Sequence, residues 1–245
     1  MNLKLLLLRF LPQRFCTSFA LMFLLASPSI AEGISIKNLG HSSLLIKGDN
    51  RSILLNPFKA VGCAEGLIES RLKVDIILAS SELIDEGARN SEGTFFVKPG
   101  SYVVEGFAFE GVNVLHDRLG GRRYGLATLW TWKQGGLKIA HLGGAAGPLS
   151  LEDKFLLGRP DVLIIAVGGG AKVYDAQEAA EIIQDLKPKV VIPVQYMRGK
   201  TPVNCDLTGI QPFLEAMNGT KIKKVGRTFY ISNKISDQMV IHLMD

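Results

Sequence analysis

Val74-Asp75-Ile76-Ile77-Leu78-Ala79 runs directly into Ser80-Ser81-Glu82-Leu83-Ile84-Asp85-Glu86-Gly87. The first six residues form a short apolar run with β-branched side chains, which reads as a buried strand. The next eight are polar and acidic, as in a loop leaving the end of a strand. Acids so placed fit one turn of helix near its N-terminus, so a short helix is expected over Glu82 to Arg89. Glu82, Asp85 and Glu86 could ligate a hard cation such as calcium or magnesium. A solvated helix face is the favoured reading.

Working outward, strands alternate with turn signals. Ile34 to Asn38, Ser43 to Lys47 and Ser52 to Leu55 are strand-like, with Gly40 and Gly48-Asp49-Asn50 between them. Thr94 to Val97, Tyr102 to Val104 and Val112 to Leu115 follow. Leu126 to Lys133 and Leu137 to His141 read as a hairpin about Gln134-Gly135-Gly136. Helical spacing marks Leu151 to Leu157, Asp175 to Leu186 and Leu207 to Met217. Asp161 to Val167 and Val190 to Val194 are buried strands. Ile222 to Val225, Thr228 to Ile231 and Met239 to Leu243 close the chain as strands. Strands gathered in each half, with helices between, predict two sheets packed face to face with helices outside.

The chain has 245 residues, of which 47% are hydrophobic, enough for a substantial core. Residues 1–31 stand apart. Lys4, Arg9 and Arg14 precede or flank an apolar segment from Phe15 to Ala26, no acid occurs before Glu32, and Ser29-Ile30-Ala31 offers small residues for an export peptidase. This pattern reads as a signal peptide on a domain spanning 32–245. An uncleaved N-terminal anchor is the alternative. The domain is thus expected in an exported compartment, or at a membrane if the segment is retained. No span beyond that segment is expected. Without the three leader bases, Lys+Arg falls from 28 to 25 against 23 acids. The domain is nearly neutral, and no basic cluster carries interleaved aromatics, so nucleic acid is not an expected partner. Cys63 and Cys205 remain in the domain. Pairing is open to them in an oxidising compartment, and two unpaired cysteines are the favoured reading.

Six short segments in order resemble the lactonase-like, Zn-dependent hydrolase branch of the metallo-β-lactamase superfamily. They are Leu39-Gly40-His41-Ser42, Leu54-Leu55-Asn56-Pro57-Phe58, His116-Asp117, Ile139-Ala140-His141-Leu142-Gly143-Gly144, Val167-Gly168-Gly169-Gly170 with Tyr174 and Glu178-Ala179, and Val191-Ile192-Pro193-Val194-Gln195-Tyr196. The resemblance covers roughly residues 34–200 and implies an α/β fold, the four-layer αββα sandwich of that family.

The departures fall on the chemistry. The resemblance implies a His-x-His-x-Asp-His metal motif where Ser80 to Gly87 stands. It implies an Asp bridging two metals where Gly144 stands, a histidine at Gln195 and an Asp at Asn56. Serine and a glutamine amide are weak zinc ligands, and glycine offers no side chain. No metal ligand set is expected, although a single Zn or Mn is left open.

The candidates that remain for chemistry are His41, His116, Asp117 and His141, with His116 and Asp117 as an acid–base pair. By resemblance, His41 and His141 fix loops. His242 reads as structural. Asn56, Arg122, Gln195 and Tyr196 are candidates for contact with a small-molecule ligand, and Arg122 or Arg123 could hold an anionic one. Gly168-Gly169-Gly170 with Lys172 lacks P-loop spacing and reads as a tight strand-to-helix turn. Three readings compete: an exported, non-catalytic ligand-binding or interaction member; a divergent lactonase- or esterase-like hydrolase using one metal or the His116/Asp117 pair; and a structural protein that keeps only the fold.

Overall fold

Alternation of apolar residues along the strands sets the architecture. In the strand Gly33–Gly40 (β1), Ile34 and Ile36 are fully buried while Lys37 is exposed. Ser43–Gly48 (β2) and Arg51–Leu55 (β3) are buried on both faces, with Leu44, Ile46, Ile53 and Leu55 in one apolar cluster and Leu45 and Leu54 in another. Strands Lys73–Leu78 (β4), Glu92–Phe96 (β5) and Thr228–Ser232 (β13) complete a six-stranded sheet in the order β13-β1-β2-β3-β4-β5. The computed structural model describes residues 33–245. The expected signal peptide, residues 1–31, lies outside them.

The second sheet has eight strands. Gly100–Val104 (β6), Phe107–Leu115 (β7), Leu126–Gln134 (β8) and Leu137–Leu142 (β9) form an antiparallel meander. Val162–Ala166 (β10), Val190–Val194 (β11), Lys221–Val225 (β12) and Val240–Met244 (β14) extend it with parallel pairings. Central strands β10 and β11 are buried along their whole length, as parallel strands covered on both faces must be.

The inward faces of the two sheets meet in one core, where Ile34, Ile36, Ile53 and Ile76 pack with Phe109, Trp130, Ile139 and Ile164. On the outer face of the eight-stranded sheet lie helices Leu151–Leu157 (α1), Ala176–Leu186 (α2) and Gln211–Ala216 (α3). Helix α2 presents Ala179, Ala180, Ile182, Ile183 and Leu186 to that sheet. Its N-cap Asp175 accepts from the backbone N–H groups of Gln177 and Glu178, and the Glu178 side chain accepts from the Asp175 N–H in return. This capping box fixes where the helix starts.

Three expectations are corrected. Residues 82–89 form turns instead of a helix. One local turn closes, with Glu86 and Gly87 N–H both donating to Leu83 O, but the flanking backbone is captured elsewhere: Ala88 N–H donates to Pro57 O, and Lys59 N–H to Ile84 O. The third helix is shorter than 207–217, because Leu207 and Thr208 are held by loop contacts, with Thr208 N–H donating to Gly168 O. Cys63 and Cys205 are joined in a disulfide across 142 residues, so the unpaired reading was wrong. Sequence distance hid the pair; the fold brings their Cα atoms to 4.6 Å.

Candidate functional site

The loops after β4, β7, β9, β10 and β11 converge at one end of the sandwich. The Ser80–Gly87 loop is pinned on both sides. Ser80 N–H donates to Asn56 Oδ1 at 2.8 Å, and Asn56 Nδ2 donates to Ser42 Oγ at 3.2 Å. Ser80 O accepts from Thr128 N–H, and the Trp130 indole donates to Ala79 O at 2.9 Å. Asn56 is therefore a buried clip between two loops.

The pinned loop turns its acids inward. Glu86 is fully buried, and its Oε1 lies 2.9 Å from Nε2 of the equally buried His116. This is ion-pair distance, but the angles of a good hydrogen bond are not met, so both Glu86 oxygens and both His116 nitrogens keep unused hydrogen-bonding capacity. Asp85 pairs with the Lys172 ammonium, which also lies 3.9 Å from Glu86 Oε1 and 5.6 Å from the centre of the Tyr124 ring. The expected solvated acidic face is thus wrong for Asp85 and Glu86, and holds for the exposed Glu82. Burial pushes the Asp85 carboxyl up, but Lys172 with lesser partners outweighs it and holds the group below its ordinary value.

Gly144 makes room for this arrangement. Its φ is +74°, and a Cβ there would sit 1.9 Å from Glu86 Oε2 and 2.8 Å from Ser80 Cβ. The Glu86 carboxylate occupies the space into which a side chain at 144 would project.

The sequence candidates separate into three places. His116, Asp117, His141 and Asn56 are buried. Asp117 does not serve His116: its Oδ1 accepts from the N–H groups of Leu119 and Gly121, its Oδ2 from those of Arg123 and Tyr124. Burial raises the Asp117 pKa, and the four donors more than reverse that. It organises a loop, and the carboxylate facing His116 is Glu86. His141 has no partner for either ring nitrogen, and burial lowers its pKa to about 3. His242 packs edge-on against Phe229 with its pKa lowered to about 4, mainly by burial. Arg122 is on the surface, donating from Nε to Leu119 O; Arg123 lies over the Tyr124 ring.

His41, Gln195 and Tyr196 line a cleft of about 410 Å³, with Leu39, Leu67, Pro193, Met197 and the Cys63 edge of the disulfide. The Gln195 side-chain NH₂ donates to His41 Nε2 at 3.2 Å, and Gln195 N–H donates to His41 O at 3.1 Å. Gln195 Oε1 is buried without a partner. His41 and Gln195 both have φ of 52°, and Asn56 has 39°. Backbone strain of this kind in non-glycine residues concentrates at functional sites. Burial lowers the His41 pKa, opposed by Asp85 and Glu86. Burial raises that of Tyr196.

Sequence reasoning missed Lys172. The signal was a lysine two residues beyond the triple glycine; the tight turn predicted there is present, with φ of 73° at Gly169 and 71° at Gly170. A Cβ at Gly168 would lie 2.2 Å from Gln195 O, so the turn also packs backbone to backbone.

The fold class and the clustered loops define a metallo-β-lactamase-like hydrolase scaffold. The family profile of the beta-lactamase superfamily domain matches residues 35–195, and the chain belongs to that family. Among solved structures, it is similar to a protein from Thermotoga maritima described as a Zn-dependent hydrolase of the metallo-β-lactamase superfamily, at 22% identity over 86% of this chain and 98% of that one, with a TM-score of 0.70. It is similar to a metal-dependent hydrolase, so described, from Parabacteroides distasonis at 16% identity, over 86% and 92% of the two chains, with a TM-score of 0.59. An isothiocyanate hydrolase from Delia radicum gut bacteria shares 11% identity over 84% and 95%, at a TM-score of 0.56. No curated protein matches.

The fold family implies metal, and the residues here do not fit it. Among the described residues no group of three or more His, Cys, Asp or Glu side chains could hold an ion. The Lys172 ammonium already lies between the two inward acids, where a divalent cation would meet a like charge about 4 Å away or less.

Proposed function

We propose that this chain is an exported, ligand-binding member of the superfamily that does not use metal-dependent hydrolysis. The observation that carries this reading is the Glu86 carboxylate seated in the space beside Gly144, paired with His116 and flanked by Lys172. Side chains of the protein fill the ground on which a metal-bridging acid would stand by family resemblance. No step is assigned to a metal.

The adjoining cleft remains open, and its volume suits a small molecule. Its walls combine apolar Leu39, Leu67, Pro193 and Met197 with the charged Glu65, Arg198, Lys200, Arg227 and Asp245, which suits a small polar ligand. Behind its wall Gln195 keeps a buried carbonyl oxygen without a partner, and the Tyr196 phenol at its edge accepts from the Arg198 guanidinium. The Cys63–Cys205 disulfide, at the cleft edge, favours an oxidising compartment, in keeping with the N-terminal sequence pattern. A His116/Asp117 hydrolase gains no support, because four backbone donors take up Asp117.

The test uses the full chain, expressed in an exporting host with zinc and manganese supplied, then purified and dialysed without chelator. The expected result is a mature N-terminus near Glu32, less than about a tenth of an equivalent of metal, and no turnover of lactones or esters. Near-stoichiometric metal with turnover that tracks it would overturn the reading, and is the outcome that the relatives' descriptions as hydrolases favour.

A further inference from the structure

We infer that the edge where helix α1 meets the β8–β9 turn is a lipid-contact surface. Exposed Leu151, Phe155 and Leu156 enter the headgroup region of an anionic bilayer, and a rim of cations next to them meets its phosphates. The inference is independent of the metal-free reading above. Among the described residues no helix is long and apolar enough to cross a membrane, so the contact is with its surface.

Helix α1 leaves large apolar side chains uncovered. Leu157 is fully buried against the sheet, but Leu151 is 86% exposed, Phe155 85% and Leu156 41%. Leu151 and Phe155 are four residues apart and so share one face of the helix. A single exposed leucine is ordinary; two large apolar residues in line, almost wholly in water, mark a contact surface. The cations gather where this helix ends. A Cβ at its C-cap Gly158 would lie 2.7 Å from Lys138 Nζ, and Lys133 is opposite Lys138 in the β8–β9 hairpin. Arg159 follows Gly158 and donates from Nε to Lys187 O. The hairpin turn itself packs Gly136 on Asn233, next to Lys234. The acids packed into this edge are already engaged: Asp185 with Lys154, Asp161 and Asp237 with Lys189, and Asp49 with the Gly135 N–H. Glu152 and Asp153 stand at the other end of α1. Lys133, Lys138, Arg159, Lys187 and Lys234 are left as excess positive charge, on a domain that carries 25 bases against 23 acids.

Two observations select a bilayer as the occupant. The chain enters the domain at this edge: Gly33 O sits against the β8–β9 turn, where a Cβ at Gly135 would be 2.2 Å from it. The apolar segment Phe15 to Ala26 ends only seven residues before Gly33, a reach of about 25 Å at most. In the unprocessed chain, that segment in a membrane brings this edge to the lipid and leaves the loop cluster facing away. The second observation is charge. A basic rim around apolar side chains complements anionic headgroups over a hydrocarbon layer, and each cation near such a surface strengthens binding by about fivefold. Lysine and arginine stems also lie along apolar surface while their heads reach the phosphates. A two-fold contact with a second copy would instead set like charges against each other.

The experiment floats the purified chain with vesicles of phosphatidylcholine, and with vesicles in which roughly a third of that lipid is replaced by phosphatidylglycerol. The readout is the ratio of binding to the two, so an N-terminal segment that inserts in both cancels. Anionic vesicles are expected to bind about 10-fold or more tightly, and less so at high salt. Leu151→Ser with Phe155→Ser, and separately Lys133→Glu with Lys187→Glu, should each cut binding to anionic vesicles by about 10-fold or more. These side chains are exposed, and unchanged circular dichroism melts would show that the fold is intact. The same charge reversal at Lys223 and Lys224, on β12 and four strands away from β9 in the sheet, should leave binding within about twofold. Equal binding to both vesicle types, including none, would overturn the inference. So would a loss in the β12 variant equal to that of the Lys133→Glu, Lys187→Glu chain, or a wild-type dimer in light scattering that the Leu151→Ser, Phe155→Ser chain no longer forms.

Discussion

Gly144→Ala adds one methyl group at the point where the site is fullest. Two effects oppose it. The backbone there has a φ of +74°, which an alanine adopts at a penalty of about 1–2 kcal/mol. The new Cβ would also lie 1.9 Å from Glu86 Oε2 and 3.0 Å from its Cδ, so the carboxylate must move. It is not a loose tip, since it is fully buried and its other oxygen faces His116 at 2.9 Å. Overpacking of this kind costs about 1–3 kcal/mol. The sum is a loss of about 2–5 kcal/mol, a large part of the stability of an ordinary domain. Equilibrium urea denaturation at neutral pH measures it. The two effects separate in a Glu86→Ala background, where the clash is absent and only the φ penalty should remain. The expected coupling between the positions is therefore about 1–3 kcal/mol. A Gly144→Ala protein within about 0.5 kcal/mol of wild type, or an equal loss in both backgrounds, would show that Glu86 does not occupy this space.

Stability should also fall with acid well before carboxylates titrate. His141 and His242 have folded pKa values lowered to about 3 and about 4, below the ordinary 6.5. The unfolded chain binds protons first, so the stability of the neutral buried rings is complete above 6.5 and is lost as pH falls through 6.5 towards the folded values. At pH 5 each contributes a loss of about 2 kcal/mol. Asp85, also lowered, adds its loss only below the ordinary carboxylate range. Urea midpoints at pH 7.5 and pH 5 test this, and a flat profile over that window would contradict the burial of both histidines. Reducing the Cys63–Cys205 bond, which spans 142 residues, should lower stability by about 2–5 kcal/mol. Equal Tm with and without a reductant, with thiols counted to show that the bond has opened, would mean that the loops it joins are held by other contacts.

Most strands were legible because burial of one face imposes a period of two, and β10 and β11 because burial on both faces makes a continuous apolar run. The family resemblance lay in motif order along residues 34–200, a local property of the chain. Helix α2 was legible from its apolar spacing, and the Asp175–Glu178 capping box sets its first turn. The misread stretch was 82–89, where local propensity favoured a helix. There, tertiary hydrogen bonds to Pro57 and Lys59 claim the backbone instead.

The site divides along the same line. Residue identities alone establish that Gly144, Gln195 and the Ser80–Gly87 loop lack the ligands expected from the resemblance. They could not reveal what fills the space, because Glu86, His116, Gly144 and Lys172 stand on four separate loops. Asp117 looked like a partner for its neighbour His116 and instead accepts four backbone donors. Lys172 figured only in a rejected P-loop spacing and instead lies between two acids. Local chemistry is written in neighbouring residues. The partner of a buried charge is chosen by desolvation, which acts only after the strands have brought distant loops together.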